Sequence, residues 1–247
     1  MRIHPDPDGE HRRRRTLSVR RRRRRRALPV LGLLVLTLAP AALPRVLVPP
    51  TSAFMLAARV QAAREGRTLT IEHRPVALSE LSPQLALAVI AAEDQRFPFH
   101  RGIDFTEIRR ALDDASGAPT RGASTLSQQL VKNLYLWSGR SWMRKGIEAW
   151  LAVWLEVFCS KQRILTLYLN FAEFGTGVYG AEAASRRFFG KPARALSAPE
   201  AALLAAVLPR PRGALDRGPT ATLRARQAWI LRQMQQLGGT GYLDRLR

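Results

Sequence analysis

The run Leu85-Ala-Leu-Ala-Val-Ile-Ala-Ala92 is apolar at every position and stops abruptly at the adjacent acids Glu93 and Asp94. A helix that is apolar on all sides cannot lie on a surface; other elements must surround it. Ser82-Pro83 supplies an N-cap followed by proline at the first helical position, so the pattern predicts a buried helix over 82–94. Its C-terminal end is the negative pole of the helix dipole, where a carboxylate is disfavoured by about 0.3–1 kcal/mol. Desolvation works in the same direction, and both raise a carboxylate's pKa, which suits a general acid or base. The same pattern arises when two acids merely mark where a helix surfaces. Both readings stay open on this segment alone.

Helical patterning continues over 104–116, 125–136, 141–158, 161–170, 178–188, 198–208 and 220–237, with short Gly/Pro/Ser joints. "TLTIEHRPVAL" (68–78) carries the one convincing strand signal. The expected fold class is therefore mainly α with a minor β element. "GTGVYG" (175–180) satisfies G-x-G-x-x-G, but it follows a helical pattern and no βαβ unit surrounds it. It reads as a tight turn with close backbone approach, not a dinucleotide site. Cys159 is the only cysteine, so no intrachain disulfide can form.

The charge is uneven. Of a formal +21, about +9 lies in residues 1–26, where twelve arginines face three acids. A basic arm of this kind suggests nucleic acid. Here, however, it runs straight into apolar residues 27–48, which would span about 33 Å as a helix, enough for a bilayer core. Arginines flanking such a segment set topology, placing 1–26 in the cytoplasm and the remainder outside, with no nucleic-acid partner. Ala39-Pro40-Ala41 also resembles a signal-peptide cleavage site, a reading that exports the same domain. The expected divisions are a basic cytoplasmic arm (1–26), a transmembrane anchor (27–48), a membrane-proximal linker with a short strand (49–78) and the main domain (79–240). Within the linker, "PPTSAFMLAARV" reads as an interfacial stretch or as the first core helix.

Two further segments carry chemistry. In "RGASTLSQQLVKN" (121–133), Thr125 and Gln128 fit a T-x-x-Q capping box, and Gln128, Gln129 and Lys132 are expected to project from adjoining faces near a positive helix end. Free N–H groups and a lysine there would suit an anion, although an ordinary capped helix looks the same. In "GRSWMRKGIEAWLAVWLE" (139–156), Arg140, Arg144 and Glu148 form one stripe with Lys145 beside it, while the other faces carry Trp142, Ile147, Trp150, Leu151, Trp154 and Leu155. Such a stripe is expected to line a cleft. Two isolated carboxylates suggest glycosidic chemistry, and clustered cations suggest a phosphate leaving group.

"EDQRFPFHRG", "GASTLSQQLVKN", "RKGIE" and "KQRILTLYLN", in that order, resemble the signature blocks of the peptidoglycan glycosyltransferases, the polymerising domain of class A penicillin-binding proteins. Over about residues 50–215 the chain looks most similar to the monofunctional branch of that family. One departure is Ala123, where the family usually has a second glycine. The resemblance implies a lysozyme-like α-helical fold with a membrane-dipping lobe behind a single N-terminal transmembrane helix. It also implies polymerisation of lipid II into β-1,4-linked glycan with inversion and release of undecaprenyl pyrophosphate. By the same resemblance Glu93 is the base and Glu148 positions the pyrophosphate or a divalent cation (Mg or Mn) on it. Lys132, Arg140, Arg144 and Lys145 neutralise the leaving group; Thr125, Gln128, Gln129 and Asn133 shape the donor site; Asp94, Phe97 and His100 hold the Glu93 loop. No organic cofactor is implied. The implied partners are lipid II, the growing lipid-linked strand, the bacterial inner membrane with the catalytic domain periplasmic, and cell-division or elongation proteins. Neither S-x-x-K nor K-T-G occurs, so no transpeptidase site is expected. The rivals are a lysozyme-like hydrolase or lytic enzyme and a non-catalytic wall-binding scaffold.

Overall fold

The computed structural model describes residues 29, 32, 35, 37–113, 124–139 and 141–246. The basic arm 1–26, much of 27–48, Ala123 and Arg140 therefore lie outside the described residues. The described positions within 29–42 are helical, and among the described residues no helix is long and apolar enough to cross a membrane. The unit from Ala41 to Arg247 is described below.

The all-apolar run forms helix α2 (Pro83–Glu93), preceded in the chain by α1 (Ala53–Arg64). Ser82 caps α2 by accepting a hydrogen bond from the Gln84 N–H at 3.2 Å, and every residue from Leu85 to Ala92 is buried. Helices α8 (Ala198–Val207) and α9 (Ala221–Gln236) pack on it, together with the 3₁₀ stretch Gly239–Leu246. Helix α8 is apolar and buried from Ala201 to Val207, so two apolar helices cover each other from water. A second group comprises α4 (Leu126–Tyr135), α5 (Trp142–Phe158) and α6 (Lys161–Phe171), with α4 packed on both of the others. Helices α3 (Phe105–Asp113) and α7 (Ala181–Phe189) complete the helical set among the described residues.

Of the two readings of "PPTSAFMLAARV", the first core helix is the one seen: α1 starts at an N-cap, with Ser52 Oγ accepting from the Met55 N–H at 3.2 Å, and buries Met55, Ala58 and Ala62 against the domain. The expectations for 68–78 and 178–188 change. Within 68–78, only Glu72–His73 (β1) forms a strand. The segment around "GTGVYG" supplies β2 (Glu173–Gly175) and β3 (Val178–Tyr179), which the helical pattern from 178 had missed. Strand β3 is central, parallel to β1 and antiparallel to β2. The reason is steric. Gly180 has φ +86°, and a Cβ there would stand 2.6 Å from the Asn170 carbonyl oxygen, so α7 cannot begin before Ala181. Asn170 in turn bonds both the N–H and the carbonyl of Val76 at 2.9 Å, fastening the β1 segment to α6.

Candidate active site

The two acids after Ala92 part company as α2 ends. Asp94, its C-cap, turns inward: its carboxylate lies 3.0 Å from His100 Nε2 and accepts the Leu126 N–H at 2.9 Å. Phe97 is fully buried beneath this turn, with Lys161 Nζ 4.4 Å from its ring centre. Lys161 also donates to the His100 carbonyl at 2.6 Å and to Glu156 at 2.7 Å. Asp94, Phe97 and His100 thus form one buried support that joins the end of α2 to the starts of α4 and α6. Asp94, His100 and Asp104 offer ligand atoms within 4.8 Å of one another. They already hold protein partners, however: Asp104 takes Arg96 Nε at 3.0 Å and the N–H groups of Thr106 and Glu107.

The start of α4 is a capping box. Thr125 Oγ1 accepts from the Gln128 N–H at 3.2 Å and donates to the Gly102 carbonyl at 2.6 Å, while Gln128 Oε1 accepts from the Thr125 N–H at 3.0 Å. Both side chains are buried. Gln128 therefore does not project beside Gln129 and Lys132, and the anion expected at this helix start is the chain's own Asp94. A capped N–H and a paired N–H leave little for a ligand there.

Glu93 faces away from the Asp94 support and toward Gln129, which with Phe54, Lys132, Asn133 and Tyr168 lines a cavity of about 180 Å³. Gln129 Nε2 donates to Glu93 Oε2 at 3.0 Å, and Arg226 Nη2 reaches Oε1 at 3.2 Å. The Tyr168 hydroxyl donates to Gln129 Oε1 at 2.9 Å, which fixes the amide so that its NH₂ must face Glu93. Burial raises the Glu93 carboxyl above its ordinary range, against the opposing pull of Gln129, Arg226 and Lys132. Lys132, whose Nζ stands 5.6 Å from the Phe54 ring centre, is lowered by burial and raised in part by Glu148 and Glu93.

Glu148 is the opposite case. It sits in the middle of α5 and is 2% exposed, with Arg144 Nη1 on Oε2 and Lys145 Nζ on Oε1, each at 2.5 Å. Lys145 also donates to Ser124 Oγ at 2.7 Å, tying α5 to the residue before the α4 cap. Each Glu148 oxygen thus accepts from one cation, so a divalent ion there would meet two positive charges already in place. Glu148 thus faces inward together with Leu151, Ala152 and Leu155, while another apolar set faces outward: Trp142 is 93% exposed, and Met143, Trp150 and Val157 are exposed as well.

The structure therefore places Gln129, Lys132 and Asn133 in the wall of one cavity, with Glu93 hydrogen-bonded to Gln129, and sets Glu148, Arg144 and Lys145 on the helix packed beside α4. It assigns Thr125 and Gln128 to capping. Arg226, Tyr168 and Phe54 were missed by the motif reading. Tyr168 lies inside "KQRILTLYLN", where periodicity makes it a core residue, and Arg226 sits in an arginine-rich helix outside every block, where nothing local distinguishes it.

A family model described as Transglycosylase matches residues 61–235. The biosynthetic peptidoglycan transglycosylase of Xanthomonas campestris pv. campestris (strain B100) is 50% identical over 202 residues, which is 81% of this chain and 82% of that protein. The protein of the same description from Klebsiella oxytoca is 55% identical over 197 residues, 78% and 81% of the two chains. That of Citrobacter koseri is 54% identical over 199 residues, 79% and 82%. The matched span takes in the base-like Glu93, the Lys132 cavity, the Glu148 cluster and even Arg226, and over that whole length this chain belongs to the transglycosylase family.

Proposed function

We propose that this chain is a monofunctional peptidoglycan glycosyltransferase acting in cell-wall biosynthesis. It polymerises lipid II into β-1,4-linked glycan with inversion and releases undecaprenyl pyrophosphate. The observation that carries the reading is one desolvated carboxylate, Glu93, beside a cavity walled by Lys132, with the Arg144 and Lys145 cations gathered on Glu148 next to it. Glu93 takes the proton from the acceptor's 4-hydroxyl, and the oxygen attacks the donor's anomeric carbon as the bond to pyrophosphate breaks. Lys132 meets the developing charge directly; Arg144 and Lys145, oriented by Glu148, add to the positive field. Glu148 is thus a holder of cations rather than a second acid. No step is routed through a divalent metal.

A lytic enzyme of lysozyme type would have no use for this cluster, because a sugar leaving group carries no phosphate charge. The catalytic domain is placed on the periplasmic face of a bacterial inner membrane, held by a single span over about 27–48. Arg163 supports a fixed membrane-proximal approach: it donates to the carbonyls of Pro44 and Leu47 at 2.7 and 2.8 Å, while Val46 and Leu47 stay exposed.

The test is the purified full chain with labelled lipid II in detergent and lipid. Long lipid-linked strands, unaffected by penicillin, together with intact lipid-free sacculi, are the expected result. Solubilised sacculi without polymer from lipid II would assign a lytic enzyme, and glycan binding without either activity would assign a scaffold.

A further inference from the structure

The two oxygens of Glu93 are held by two different helices. Oε2 takes the Gln129 amide of α4, which Tyr168 of α6 prevents from turning over. Oε1 takes Arg226 Nη2 of α9, the one cation in hydrogen-bond contact with Glu93 among the described residues. Helix α9 is firmly seated. Ile230 and Met234 are buried, Gln227 Nε2 donates to the Pro199 carbonyl at 2.7 Å, and Gln233 accepts from Gln95 Nε2 at 2.8 Å, two residues beyond Glu93. Arg226 therefore reaches Glu93 from an anchored base rather than as a loose surface side chain. Its Nε is buried without a hydrogen-bond partner. Nε and Nη2 form the edge by which a guanidinium grips a carboxylate with two parallel bonds, and only one of those bonds is made here. The geometry leaves that side of Arg226 committed to the Glu93 carboxylate and to nothing else.

We propose that Arg226 is a positioning residue for Glu93: it keeps the carboxylate ionised in a desolvated site and holds Oε1 in place, so that the acceptor hydroxyl finds a base rather than an acid. This rests on the reading of Glu93 as the base. Each carboxylate oxygen keeps a second lone pair while it accepts from Gln129 or Arg226. The hydroxyl proton arrives on one of these lone pairs, leaving neutral Glu93 beside an Arg226 that stays cationic. The charged and titratable groups facing Glu93 are Arg226 from α9, Lys132 from α4 and the Tyr168 hydroxyl, through Gln129, from α6. Burial disfavours the carboxylate, and only Arg226 and Lys132 supply positive charge against it. Losing Arg226 shifts the balance toward the protonated form.

The experiment is the pH dependence of kcat/KM with labelled lipid II for the full-length wild type, Arg226→Gln, Arg226→Lys and Glu93→Gln. Glu93 must be ionised to act, so removing the Arg226 charge should move the acidic limb up by about one pH unit. That is roughly a tenfold loss on the acidic side, with the alkaline plateau within about threefold of wild type. Arg226→Lys should leave the limb near its wild-type position, because the charge remains. Arg226→Met, which keeps the apolar stem, is a second charge-free variant should Arg226→Gln not fold. An unmoved limb in the charge-free variants, or an equal shift with lysine, overturns the proposal. Full activity in Glu93→Gln would instead remove the reading of Glu93 on which it rests.

Discussion

Helices α2 and α5 each carry one of the chain's two isolated glutamates, and they are built in opposite ways. Helix α2 is apolar all round and wholly buried, with its acid left at the very end, where an amide and one guanidinium share it. Helix α5 turns Glu148 inward and leaves Trp142 and Trp150 exposed, and this acid lies mid-helix with a cation on each oxygen. One environment makes ionisation costly and leaves lone pairs for a proton. The other places a cation on each oxygen, which favours the ionised carboxylate and turns it into a clamp. The same side chain is thus given different chemistry by what surrounds it.

The sharpest way to break that comparison is to neutralise both acids. Glu93→Gln should abolish polymerisation, a loss on the order of 10²–10⁴ in rate, while binding of donor analogues stays within a few-fold. Turnover near wild type in a labelled lipid II assay would show that the base lies elsewhere. Glu148→Gln should damage structure as well as activity, since it strips the shared anion from Arg144 and Lys145. Lys145 is 37% exposed, which softens the cost to about 2 kcal/mol, or roughly 4–8 °C in melting temperature for a domain of this size. A melting temperature unchanged from wild type would sink the clamp description.

Lys132→Ala tests the cavity beside Gln129, the residue that bonds Glu93. It should cost about 10²-fold in turnover and weaken pyrophosphate-bearing ligands, measured by competition against labelled donor. Undiminished competition would move the leaving group away from this cavity.

The smallest effect has the opposite sign. Because burial raises the Glu93 pKa, its ionised form opposes folding fully above that raised pKa; the cost fades as pH falls through it and is gone below the ordinary carboxylate range. Glu93→Gln should therefore melt about 2–4 °C higher than wild type at neutral pH, with the gap closing on acidification. A lower melting temperature at neutral pH would contradict the strained-base picture.

Helices with strong periodicity or clear caps were legible to within a residue or two. Ser82-Pro83 announces α2, Ser141 announces α5, and Ser160 announces α6. The sheet was not, because β2 and β3 are too short for alternation to register and their shape depends on Gly180 yielding to the Asn170 carbonyl, a contact set by α6. The motif blocks named Glu93, Lys132 and Glu148, but not what each one touches. Gln128 and Gln129 are neighbours of one kind in sequence, yet one closes a cap and the other holds the base.

By itself the sequence determined that α2 must be buried, that it ends at an acid, and that cations cluster near Glu148. These follow from composition and spacing, which local physics reads directly. Only the tertiary structure decided that Asp94 fills the α4 N-terminus, that α5 buries Glu148 while leaving Trp142 and Trp150 exposed, and that Arg226 arrives at Glu93 from 133 residues away along the chain. No local rule connects residues so distant; the packing of α9 against α2 does, and it alone brings that charge to the base.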